Sequence, residues 1–228
     1  MTQHEPSTLL ATVETIHWVT LVVMGLVYSV RLWWLLQFRN ARERQPAGNP
    51  EVTNASKGAW YSLGNVAMPW TMESTRRGLA FYLSFVVFHL GVTTGIGLAF
   101  VSSLYRPLLE IPAVAKGVGA MLAAAFLVGI FRIVRRLAVP VMRLISTPDD
   151  YFSLILLTVW FGLGILALGH IAGPLQSELY LVAYLLATSF FLIYVPFSKI
   201  SHYLYYPFTR FWLGRSLGHR SSLPYARG

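Results

Sequence analysis

Residues 78–104 read "GLAFYLSFVVFHLGVTTGIGLAFVSSL", 27 consecutive residues without one Asp, Glu, Lys or Arg and with a single histidine, His89. A soluble core helix has no use for so long an apolar run, whereas a helix crossing a bilayer needs about 20 mainly apolar residues. The stretch predicts a transmembrane span. Four further segments meet the same standard, roughly 13–36, 112–134, 151–172 and 178–206. The predicted fold class is therefore all-α, an integral membrane bundle of five transmembrane helices. It forms one membrane domain over residues 1–228, with a long connection at 37–77 and no internal repeat.

Composition agrees with this reading. The chain is 55% hydrophobic and 12% charged, with a mean hydropathy of +0.56, too apolar for an ordinary soluble domain. It has no cysteine, which excludes disulfides, zinc ribbons, cysteine-held iron–sulfur clusters and thiol catalysis and leaves six histidines as the strong metal ligands. The first span has acidic residues before and within it and no basic segment ahead of it. Its charge cluster, Arg31, Arg39, Arg42 and Arg44, follows it instead, so the segment reads as a retained anchor with the N-terminus outside.

Five spans from an outside N-terminus place the 37–77 and 135–150 connections and the C-terminal tail on the cytoplasmic side. Sixteen of the 18 Lys and Arg then fall inside, and only Arg106 and Lys116 outside. That asymmetry follows the positive-inside rule, fixes the expected orientation and explains the net charge of +9 without nucleic acid as a partner. The expected location is the cell inner (cytoplasmic) membrane, multi-pass, with lipid as the surroundings. The 37–77 connection contains "KGAWYSLGNVAMPWTMESTRR" (57–77), whose Trp60, Tyr61 and Trp70 suit a membrane interface, a quinone pocket or a docking partner.

His4 and His219 lie in polar terminal segments and read as solvated surface residues. His17, His89, His170 and His202 instead sit within predicted spans, where an ionisable side chain is costly and marks function by default. At 1.5 Å per residue, His89 lies ~18 Å along its helix from Arg77 and His202 ~12 Å from Arg210, the same inner surface. His17 and His170 lie near the outer ends of their helices and form an outer pair. Two imidazoles at matched depth on antiparallel helices suit the two axial positions of a haem iron, and a six-coordinate haem has no open position and serves as an electron carrier. Haem propionates need cations near the surface, and Arg132, the basic residue furthest into its helix, is the first candidate.

The block "FLIYVPFSKISHYLYYPFTRFWLG" (191–214), following four spans with a histidine on the second, resembles the membrane cytochrome b (gamma) subunit of respiratory nitrate reductase and the related subunit of sulfite-reduction-associated membrane complexes. The resemblance extends over all five spans in order, and its specific part is the block around His202. It implies an N-out five-helix cytochrome with haem b, passing electrons between the quinone pool and an iron–sulfur partner on the cytoplasmic side. It carries inner-haem ligand roles to His89 and His202. The outer haem departs from the pattern: the two places that would hold its ligands, on the second and fifth helices, are Ala99 and Tyr184. Two readings follow. The chain holds one haem, or His17 and His170 hold the outer one, and the second is preferred because it gives two intramembrane histidines a purpose.

Two other classes stand beside this one. A proton-coupled transporter would use intramembrane histidines, but no Asp or Glu lies in the middle of a span and the halves do not repeat. A haem-free anchor subunit would be indifferent to the loss of His89 or His202. No phosphate-binding loop, dinucleotide fingerprint or catalytic triad is present, so turnover is expected only with a partner.

Overall fold

The computed structural model describes residues 7–38, 44–48, 54–71, 73–220 and 222, without the side chains of Val66 and Ser74. Among the described residues all regular structure is helical: α1 (Thr8–Gln37), α2 (Ala55–Gly64), α3 (Glu73–Arg77), α4 (Leu79–Leu104), α5 (Pro107–Glu110), α6 (Pro112–Ala138), α7 (Pro140–Ile145), α8 (Pro148–Ala172), α9 (Leu179–Tyr194) and α10 (His202–His219). Five stretches are long and apolar enough to cross a membrane, namely α1, α4, α6, α8 and Leu179–Phe197. Proline opens α5, α6, α7 and α8, where its missing N–H is no loss and its fixed φ suits the first turn. Thr147 and Asp150 complete a capping box at the start of α8.

The fifth predicted span, 178–206, is not one helix. It ends in two short 3-10 turns, Val195–Phe197 and Lys199–Ser201, and His202 opens a separate helix beyond the apolar stretch. Pro196 cannot donate to the helical ladder, and Ser198 turns extended (φ −105°, ψ 173°) with its side chain accepting from Ile200 N at 3.2 Å. The depth assigned to His202 by counting along a continuous helix is corrected accordingly. The 37–77 connection is likewise more structured than a loop, since it contains α2, a turn at Asn65–Ala67 and α3.

The chain divides into two compact units. The first comprises residues 1–26 and 83–194, the second residues 27–82 and 195–228. In the first, α4, α6, α8 and α9 approach one another through small residues, as helices in lipid do when no hydrophobic effect drives them together. A Cβ on Gly91 would lie 2.1 Å from Ala125 Cβ, and one on Gly129 would lie 2.4 Å from Thr158 Oγ1. Outward-facing Val19, Val22, Leu26, Leu127, Ile155, Leu186 and Phe190 are exposed, which is the surface a lipid-facing helix presents.

In the second unit α10 lies on α2. Gly214 makes the contact possible, because a Cβ there would sit 2.4 Å from both Gly58 O and Ser62 Cβ. Arg210 Nε donates to Ser62 O at 3.2 Å beside it. The break after α9 is held from α1: the Arg31 guanidinium donates to Pro196 O, reaches Tyr205 Oη at 3.4 Å and lies 5.0 Å from the centre of the Phe197 ring.

Candidate functional site

His89 is exposed on α4, one turn beyond Phe85. Its Nδ1 lies 2.8 Å from Phe85 O, and its ring is 4.1 Å from the Phe85 ring centre. A carbonyl oxygen only accepts, so Nδ1 is the donor in this contact. Metal-ligating imidazoles use this arrangement, in which the outer hydrogen bond fixes both the tautomer and the orientation of the ring. Arg132 of α6 is half-buried nearby, 5.2 Å from the centre of the Phe88 ring and 3.4 Å from Ser84 Oγ.

His170, near the end of α8, has the same tautomer, with Nδ1 donating to Leu175 O at 3.2 Å. His202, in the second unit, repeats it: the imidazole is exposed and Nδ1 donates to Lys199 O at 3.0 Å, inside the turn that the Pro196 break creates. His219 instead uses Nε2, at 3.1 Å from Gln45 O, and His4 lies outside the described residues. Beside His202, the Tyr203 hydroxyl donates to Tyr28 Oη at 2.7 Å. Burial pushes the Tyr203 phenol above its ordinary value, while the bond to Tyr28 pulls the other way.

His17 is of another kind. It is 1% exposed, neither ring nitrogen has a hydrogen-bond partner among the described residues, and its ring meets Trp18 at 6.0 Å and Phe100 at 6.4 Å between ring centres. Both nitrogens are shielded from solvent. His17 and His170 share the first unit, but their hydrogen bonds and ring contacts lead to different groups. Among the described residues, no three His, Asp or Glu side chains converge as a site for a bare metal ion.

The places of Ala99 and Tyr184 are filled. Tyr184 is fully buried, its hydroxyl donates to Gly95 O, and its ring stacks on Trp160 at 5.9 Å with 17° between the planes. Trp160 Nε1 donates to Thr188 Oγ1 at 2.9 Å. Two features were not anticipated from the sequence: this aromatic packing and the Arg31 contact to Pro196. Pro196 inside an apolar run was a usable signal for the second, whereas nothing local marks the first.

The fold defines a multi-pass helical membrane protein, with exposed imidazoles whose Nδ1 faces a backbone carbonyl on α4 and at the start of α10. The chain is similar to a protein of Nitratidesulfovibrio vulgaris strain Hildenborough, 27% identical over 201 residues, covering 86% of this chain and 88% of the relative. No protein-family model and no solved structure matches it.

Proposed function

We propose that the chain is the haem b subunit of a quinone-linked oxidoreductase complex in the cell inner membrane, with axial-ligand roles for His89 and His202. The observation that carries the reading is their shared local chemistry: each imidazole is exposed and holds its Nδ1 against a backbone carbonyl, the outer hydrogen bond that metal-ligating histidines use. Imidazole is a ligand that suits haem iron, and one-electron transfer is the chemistry that the group supplies when bound. The chain's own residues have simpler tasks. Phe85 O and Lys199 O orient the two rings, Arg132 offers positive charge to a propionate, and the apolar faces of the helices exclude water. Arg-rich connections suit an N-out orientation and an iron–sulfur partner on the cytoplasmic side, with quinone or quinol as the membrane substrate.

The test is the dithionite-reduced minus oxidised visible spectrum of the purified full-length protein, wild type against His89→Ala and His202→Ala. A b-type spectrum lost in both variants is the expected result. A wild-type protein that takes up no haem, even when supplied with it during expression, overturns the reading in favour of an anchor subunit. A spectrum that both variants retain removes these two ligand assignments.

A further inference from the structure

We infer that the chain holds one haem and not two, because the slot between α4 and α9 at Ala99 and Tyr184 is a packed aromatic plug. This rests on the haem reading above and narrows it. A porphyrin needs a flat opening between helices with a ligand at each side. Here the backbone of α4 already meets the Trp160 ring of α8, since a Cβ on Gly95 would lie 2.6 Å from Trp160 Cη2. From the other side Tyr184 closes on α8, with Cε2 3.3 Å from a Cβ on Gly164. Leu98, Ala99, Phe161 and Leu185 complete the packing, each at most 1% exposed.

The polar atoms of the plug show that it is a finished arrangement. Buried Tyr and Trp require partners for O–H and N–H. Tyr184 uses Gly95 O and Trp160 uses Thr188 Oγ1, while Thr188 Oγ1 itself donates to Tyr184 O at 2.8 Å. No buried donor of Tyr184, Trp160 or Thr188 awaits a cofactor, and both rings fill the space between the helices.

His17 does not supply a second place. Its nitrogens lack partners, but so does the shielded Ser103 Oγ on α4. A shielded polar atom without a partner is therefore not peculiar to His17 and does not by itself mark a ligand. With one haem, no haem-to-haem step crosses the bilayer within this chain.

The experiment is a haem-to-polypeptide ratio for the full-length protein in detergent, by pyridine haemochrome against amino-acid analysis, paired with a redox titration of the visible band. A ratio of one, a single-component titration, loss of haem in His89→Ala and an unchanged ratio in His17→Ala and Tyr184→Phe are expected. Tyr184→Phe keeps the ring and removes only the hydroxyl, so it tests the plug without emptying it. A ratio of two overturns the inference and leaves the haem reading standing. A single haem that survives His89→Ala and disappears with His17→Ala removes the His89 ligand assignment and overturns the exclusion of His17. A ratio of zero instead refutes the haem reading itself.

Discussion

The two units of the chain solve different problems with different residues. Residues 1–26 and 83–194 contain six Lys and Arg and six Asp and Glu, whereas residues 27–82 and 195–228 contain twelve and three, so the second range carries the whole net charge of +9. The first unit buries large rings, Trp160, Phe161 and Tyr184 among them, against glycines of neighbouring helices. The second packs α10 on α2 through Gly214 and leaves Tyr203, Phe208, Phe211, Trp212 and Trp60 exposed. The lesson is one of solvent. A unit surrounded by hydrocarbon balances its charge and gains its stability from close packing, while a unit rich in cations and exposed aromatics has the composition of a membrane–water interface.

The strongest way to break that contrast is Trp160→Ala. It removes the centre of the aromatic plug and is expected to destabilise the first unit by about 3–5 kcal/mol, the usual cost of emptying a large buried ring. Thermal unfolding in nanodiscs would show the loss, and hydrogen exchange of α2 and α10 should stay at wild-type rates. Equal loss of protection in both units would mean that they are energetically one.

A paired experiment sharpens the comparison. Gly91→Ala places a methyl 2.1 Å from Ala125 Cβ, and Gly214→Ala places one 2.4 Å from Gly58 O. Each is expected to cost about 1–3 kcal/mol by overpacking, the first seen as faster exchange in α4 and α6, the second as protease sensitivity of α10. Gly97→Ala is the control, because nothing lies within 4 Å of the added carbon and no packing loss should follow.

The smallest effect belongs to Glu14→Gln. The Arg106–Glu14 pair is partly exposed, at 38% and 26% of the two side chains, and a pair of this kind contributes about 0.2–1 kcal/mol. The loss should shrink as salt rises, and a larger, salt-independent loss would mean that the pair holds the α1–α4 register by more than charge. The helix count in the spanning region should be untouched by any of these changes.

The five apolar stretches were legible because hydrophobic length is a local property, and a bilayer imposes it on each helix separately. His89 was legible for the same reason: a histidine inside an uncharged run of 27 residues stands out without any partner. His202 was legible as a candidate through the resemblance of its block, but its setting was not. Hydropathy continues past Pro196 while the helical ladder does not, and Arg31, 165 residues away, supplies the donor that stabilises the break.

The sequence by itself determined the fold class, the five spans, the charge asymmetry and the absence of cysteine chemistry, because each depends on residue type and spacing alone. Tertiary structure decided which side chains are sealed from solvent, and that Tyr184 fills the α4–α9 slot at Ala99. Those outcomes depend on contacts between residues tens to more than a hundred positions apart: Tyr184 reaches Gly95 across 89 residues and Trp160 reaches Thr188 across 28. Close packing admits one occupant to each space, so the identity of that occupant is settled only when the helices meet.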